Sequence, residues 1–135
     1  MKRHLLIAAL APICLIAFQG QAETQNVHFI SPKAGEVVSS PVKVKMGVEG
    51  MAIRKAGEAP DEKTSGHHHL IVDAGPLAAG QVVPTDETHL HFGKGQTETE
   101  VNLKPGKHKL TLQFADGAHR SYGEKLSATI EVTVK

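Results

Sequence analysis

The stretch KHKLTLQF, residues 107–114, alternates apolar and polar side chains through its second half. Successive side chains of an extended strand point to opposite faces, so Leu110, Leu112 and Phe114 share one face. A Pro-Gly pair, typical of a turn, comes directly before it. The stretch therefore predicts a β-strand with one face in a hydrophobic core.

Shorter segments with the same two-residue alternation lie on both sides of this stretch, separated by Gly, Pro, Ser and Asp. This pattern predicts an all-β domain, and we find no helical periodicity. About seven strands in about 110 residues favour an immunoglobulin-like β-sandwich, with a small β-barrel as the alternative. The predicted strands cover residues 27–29, 42–46, 67–73, 89–92, 98–103, 107–114 and 128–134.

Residues 1–22 have the parts of a secretory signal peptide: a basic start, an apolar run over residues 5–18, and small residues up to Ala22. We expect cleavage after Ala22, which leaves residues 23–135 as one domain in the periplasm or the medium. The apolar run has 14 residues. A transmembrane helix needs roughly 20, so we expect no membrane span after cleavage.

Cleavage changes the composition of the chain. The full chain has 15 Lys+Arg and 14 Asp+Glu, and loss of Lys2 and Arg3 leaves 13 against 14, a net charge of −1. Nucleic-acid binding depends on clustered positive charge and is therefore not expected. Cys14, the one cysteine, is also removed, so the mature domain has neither a disulfide nor a thiolate ligand. Eight of the 9 histidines remain.

Two histidine segments, HHH and HLH, stand out in the mature chain. His67 and His69 share one face of a strand, and His89 and His91 share the face opposite Leu90. If the two strands pair, the four imidazoles converge, because opposed Cβ atoms lie about 4.5–5.5 Å apart. Imidazole is a good ligand for copper, zinc and nickel. The pattern therefore predicts a metal site, against the alternative that these histidines are hydrogen-bonded structural residues.

Two more residues are candidate ligands of the same ion. His119 lies in a turn just after the strand of residues 107–114 and could reach this end of the sheet. Met51 follows Gly50 at a strand end, and thioether with imidazole suits Cu(I). The expected ion is therefore copper, with zinc as the alternative.

Several motifs of the mature chain are shared with a known family. They are SPK at 31–33 with Gly35, GM at 50–51, GHHHLIVD at 66–73, HLHFGKGQT at 89–97, PGKH at 105–108, and FAD at 114–116 with His119. With these motifs the chain resembles an uncharacterised bacterial family, domain of unknown function 4399. The resemblance covers nearly the whole mature chain and implies a secreted or periplasmic domain. It implies no particular activity.

The motifs of common enzyme classes are missing from the sequence. There is no HExxH, no GxSxG and no mature cysteine nucleophile, so we expect a protein that is not an enzyme. The leading hypothesis is an exported module that carries or buffers a metal ion and could exchange it with another periplasmic protein. The alternative is a recognition module for an anionic ligand, a glycan or a cell-envelope protein. In that case the long connections at residues 52–66 and 74–88 would line the pocket.

Overall fold

Alternating apolar residues form the strands of this chain. The computed structural model describes Gly20 and residues 23–135, and apart from Gly20 the predicted signal peptide lies outside the described residues. No helix within that described part is long and apolar enough to cross a membrane. The elements are β1 Asn26–Ser31, β2 Val37–Val38, β3 Val42–Glu49, β4 Ala52–Ile53, β5 Ser65–Val72, β6 His89–His91, β7 Glu98–Val101, β8 Gly106–Ala115, the 3₁₀ turn Glu124–Leu126, and β9 Ser127–Val134.

The strands form two sheets. Three antiparallel strands in the order β1-β3-β7 make the smaller sheet. The larger sheet has the order β2-β9-β8-β5-β4, and β6 pairs with the edge of β5 that β8 leaves free. The all-β prediction is confirmed, and the two sheets are consistent with a sandwich or a small barrel.

One hydrophobic core lies between the sheets. Leu110, Leu112 and Phe114 on β8 are each 0% exposed. They belong to the same cluster as Val44 and Met46 on β3 of the opposite sheet. The stretch at residues 107–114 is thus a core strand, as its alternation predicts. Burying each such side chain contributes about 1.5–3 kcal/mol.

The predicted strands correspond to the seven strands that have three or more residues. Their ends differ by a few residues, and β6 stops at His91 rather than Phe92. Two strands, β2 and β4, were not predicted. Each has only two residues, which is too short for an alternation to be visible.

All eight residues of β5 are buried, so this strand is covered on both faces. One face, with Leu70 and Val72, belongs to the hydrophobic core. The other face, which includes His67 and His69, points away from it. This second face therefore forms a separate and more polar interior.

The long connections cover this second face and are attached to it by hydrogen bonds. Leu77 N donates to Oε1 of the Gln113 side chain at 3.0 Å, which attaches the connection at residues 73–88 to β8. Ala56 N donates to Gly93 O at 2.8 Å, and Gly57 N donates to Gly117 O at 2.9 Å. The two connections thus position the surroundings of the histidines.

Candidate metal centre

Four imidazole rings form a cluster on the covered face of β5, at His67, His69, His91 and His119. The His67 ring centroid lies 4.8 Å from that of His69 and 5.0 Å from those of His91 and His119. The His91 and His119 centroids are 4.7 Å apart, and His69 lies 5.1 Å from His91 and 5.9 Å from His119. We call these four residues the histidine cluster.

Strand pairing brings three of the four together. β5 and β6 are antiparallel neighbours with His69 directly opposite His91. His67 is two residues from His69 and therefore shares its face. The two histidine strands are therefore neighbours, which is the condition that the sequence left open for the imidazoles to converge.

A tight turn supplies His119. The backbone of His119 has φ 64°, in the left-handed region that few residues other than glycine adopt. The Asp116 carboxylate stabilises this turn, because its Oδ1 accepts hydrogen bonds from Ala118 N at 3.0 Å and Arg120 N at 2.9 Å. The prediction that His119 reaches this end of the sheet is confirmed.

Gly93 provides the space for the His91 ring. A Cβ atom at Gly93 would overlap Cε1 and Nε2 of His91, and it would also press on Ala56. Any larger residue at this position would therefore displace the imidazole. The glycine that follows the HLHF motif is explained by this contact.

The nitrogen atoms are close enough to share one ion. Three ring nitrogens lie within 4.8 Å of one another, one each from His67, His91 and His119. The Nε2 atoms of His91 and His119 are 3.0 Å apart. Two nitrogens bound to one tetrahedral zinc ion at 2.0–2.1 Å would be about 3.3 Å apart, so only small movements would be needed. These residues could hold a metal ion.

The two inner rings have no hydrogen-bond partners. Both ring nitrogens of His67 and both of His69 are buried, and none has a partner among the described residues. A buried polar atom without a partner costs about 1–3 kcal/mol. The alternative of hydrogen-bonded structural histidines therefore does not fit His67 or His69.

Burial keeps the inner histidines neutral. It lowers the pKa of His67 to about 4, with a smaller effect from the neighbouring His91 and His119. It lowers the pKa of His69 to about 2, again with help from the other rings. Neutral imidazole is the form that binds a metal, so these residues need not lose a proton at neutral pH.

Exposure increases from the inside of the cluster to the outside. His67 and His69 are 0% and 1% exposed. His119 is half-buried and His91 is exposed, and burial together with the neighbouring His119 lowers the pKa of His91. The cluster is thus open to solvent on the side of His91.

Asp116 is a supporting residue that the sequence analysis missed. Burial opposes its ionisation, but hydrogen bonds from Arg120 and Ala118 outweigh this effect and lower the pKa of Asp116. Arg120 Nε donates to Asp116 at 2.7 Å, and its Nη2 donates to Pro60 O at 2.8 Å. Arg120 therefore connects the His119 turn to the covering loop. The Phe114-Ala115-Asp116 motif shared with the family was the sequence feature that could have identified Asp116.

A family model described as Domain of unknown function (DUF4399) matches residues 44–135. The chain belongs to this family. The resemblance seen in the motifs is confirmed, and the whole histidine cluster falls inside the matched range. No curated protein and no solved structure matches the chain.

The DUF4399 domain does not bring every predicted ligand into the cluster. His89 lies opposite Ile71, one pair along from His91. Its Nδ1 is 2.8 Å from Asp86 Oδ1, and this hydrogen bond is the main reason that the pKa of Asp86 falls to about 2. His89 lies on the predicted face of β6, but its ring is hydrogen-bonded to Asp86 in the preceding turn and does not join the other rings.

Met51 is also separate from the cluster as the structure describes it. Its side chain is partly buried and packs against the hydrophobic core between the sheets. An apolar thioether gains more from this packing than from solvent contact. Among the described residues, the cluster therefore consists of imidazole side chains.

Two other histidines of the DUF4399 domain, His108 and His68, contact residues outside the histidine cluster. His108 is hydrogen-bonded to Asp73 Oδ2 at 3.0 Å and to Lys104 O at 2.7 Å. The hydrogen bond to Lys104 O and the neighbouring Asp73 raise its pKa, although burial opposes this. His68 faces the core, 5.1 Å from Phe114 between ring centroids, and both of its ring nitrogens are likewise buried without a partner among the described residues. Neither belongs to the cluster.

Proposed function

We propose that this chain is an exported metal-binding domain that carries or buffers copper, with zinc as the alternative ion. The observation that supports it best is the state of His67. Both of its ring nitrogens are buried without a partner in the part of the chain that the structure describes, beside the nitrogens of His91 and His119. A bound ion would offset part of this unfavourable burial.

The ligand chemistry favours a divalent ion. Met51 packs in the core, so the thioether that would favour Cu(I) is not part of the cluster. For a given set of nitrogen ligands, Cu²⁺ binds more tightly than Ni²⁺ or Zn²⁺. Copper(II) is therefore the proposed ion, and the export predicted from residues 1–22 is consistent with this role.

We propose carriage rather than catalysis because Asp116, the carboxylate whose charge acts on His67, is already engaged. A hydrolytic metal site has an open coordination position and a nearby general base. Asp116 is 2% exposed, and its two oxygens accept hydrogen bonds from Ala118 and Arg120. It supports the turn of His119 and is not free to accept a proton from water.

The test is a metal titration of the exported protein. The chain is expressed in full without an affinity tag, stripped with a chelator, and titrated with Cu(II) and Zn(II) in a competition assay. We expect one ion per chain, with Cu(II) bound more tightly than micromolar. A His91→Ala/His119→Ala double variant should lose at least about a hundredfold in affinity.

The double variant alters the outer rings because they are the exposed and half-buried members of the cluster, so the fold should persist. His108→Gln, which lies outside the cluster, is the matched control and should bind normally. Wild-type binding weaker than micromolar, or equal affinity in the double variant, would refute the proposal.

A cleft beside the His119 turn favours a second candidate function, recognition of a small organic anion. It has a volume of about 250 Å³, and Lys63, Arg120 and Lys125 line it together with Asp116. The positive side chains outnumber the carboxylate. Native mass spectrometry of chelator-treated protein separates the two functions, because a retained organic ligand would support recognition.

A further inference from the structure

One short segment contacts both parts of the chain that carry the outer rings of the histidine cluster. Residues 56–61, which we call the strap, lie in the connection between β4 and β5. At its start, Ala56 N donates to Gly93 O at 2.8 Å, two residues after His91. A Cβ atom at Gly93 would meet both the His91 ring and the Ala56 side chain, so the strap begins directly beside this ring.

The strap is also attached to the turn that carries His119. Gly57 N donates to Gly117 O at 2.9 Å, two residues before this histidine. The contact is close, because a Cβ atom at Gly117 would overlap Glu58 O and press on Pro60. The backbone of the strap therefore lies directly on the turn.

Arg120 fastens the far end of the strap to the same turn. Its Nη2 donates to Pro60 O at 2.8 Å and to Asp61 Oδ1 at 3.0 Å. Its Nε donates to Asp116 Oδ2 at 2.7 Å, within the turn. A guanidinium group has several N–H donors in one plane, so a single side chain can hold the two segments at a defined separation.

The outer rings need such support because neither lies inside a sheet. β6, which carries His91, has three residues and pairs with β5, and His119 lies in a turn. Their Nε2 atoms are nevertheless 3.0 Å apart, close to the separation of about 3.3 Å for two nitrogens on one tetrahedral zinc ion. Ligands that are already held near their final positions lose less entropy when an ion binds.

We propose that the strap, fastened by Arg120, positions His91 and His119 for the metal ion. This inference rests on the proposed function. The strap contains no histidine and acts through its contacts with the two segments. Arg120 is thus a positioning residue, and its loss should loosen the two outer rings while His67 and His69 stay in place on β5.

The first test displaces the strap with one methyl group. Gly117→Ala places a Cβ atom against Glu58 O, whereas Gly75→Ala, the matched control in the other long connection, places it in open space. Neither glycine has a left-handed φ, so alanine adds no backbone strain. Gly117→Ala should weaken Cu(II) binding about tenfold, and the electron paramagnetic resonance spectrum should show fewer coordinated nitrogens. Gly75→Ala should match the wild-type protein in both measurements.

The second test removes the guanidinium group. Arg120→Gln should weaken Cu(II) binding about tenfold and should change the spectrum in the same way. Arg54→Gln is the matched control, because Arg54 pairs with Glu62 of the same connection, 3.5 Å from Nε to Oε2. This control should change neither measurement. Weaker binding with an unchanged number of coordinated nitrogens in both strap variants would indicate general destabilisation and would overturn the inference.

A measurement on metal-free protein separates this inference from the proposed function. The ring centroids of His91 and His119 are 4.7 Å apart, so their ring protons should show a nuclear Overhauser effect. The effect should be lost in Gly117→Ala and in Arg120→Gln and should persist in Gly75→Ala. If it persists in both strap variants, the inference fails even where copper binds. Absence of copper binding in the wild-type protein would instead overturn the proposed function, and this inference with it.

Discussion

Acidification should unfold this domain at an unusually high pH, because three histidines are buried in the neutral form. His67, His68 and His69 are each at most 1% exposed. Burial lowers the pKa of His67 and of His68 to about 4, from 6.5, and lowers that of His69 further. In the unfolded chain all three regain ordinary values near 6.5.

The expected loss of stability can be calculated from these pKa values. Below pH 6.5 the unfolded chain binds more protons than the folded chain, so the free energy of unfolding falls as the pH falls. At pH 5.5 each of the three histidines should cost about 1.4 kcal/mol, and together they should cost about 4 kcal/mol. The free energy of unfolding of a typical domain is about 5–15 kcal/mol in total.

The assay is urea unfolding of chelator-treated protein at pH steps between 7.5 and 5.5. Most carboxylates titrate below this window, so the histidines should dominate the slope. His68→Leu is the matched variant, since His68 faces the core against Phe114 and Leu removes one titrating group. For this variant, the slope of the free energy of unfolding against pH should be lower by the equivalent of about one bound proton. A wild-type slope of less than one proton, or no change of slope in His68→Leu, would contradict the reasoning.

Three further predictions concern other parts of the chain. Gly93→Ala should weaken Cu(II) binding about tenfold or more in a competition titration, because the added Cβ displaces the His91 ring; equal affinity would count against the placement of His91. His108→Gln should lower the free energy of unfolding at pH 6 by up to about 1 kcal/mol and have less effect at pH 9. Because folding raises the pKa of His108, the protonated ring stabilises the folded state below pH 6.5, and this stabilisation is lost as the pH rises through the pKa of the folded state. Equal urea midpoints of the variant and the wild-type protein at pH 6 would contradict this prediction. N-terminal sequencing of exported protein should begin at Glu23, and retention of the leader would exclude cleavage after Ala22.

Alternation along the chain was sufficient to predict the core and much of the cluster. The period of two placed Leu110, Leu112 and Phe114 in the core, where each is 0% exposed. The same period placed His67 and His69 on one face. It works because a strand has only two faces, so the identity of the apolar face determines where every other residue points.

The sequence could not indicate what covers the second face of β5 or which histidines are engaged elsewhere. The cover depends on hydrogen bonds between distant residues, such as Leu77 with Gln113. His89 lies on the predicted face, but the Asp86 carboxylate in the same turn is hydrogen-bonded to its ring. Whether a nearby carboxylate engages a histidine depends on local geometry, which the spacing of residues along the chain does not indicate.

The double burial of β5 has a consequence for the lifetime of the protein. The strand joins the hydrophobic core on one side to the histidine cluster on the other, so the cluster of four imidazoles forms only in the folded chain. On the proposed function, an ion at a hundred times its dissociation constant would add at most about 2.7 kcal/mol to the free energy of unfolding, and less if the unfolded histidines also bind it. Proteases act on opened chains, so empty copies would be degraded sooner than filled ones. The amount of this protein would then follow the supply of metal without any change in its synthesis.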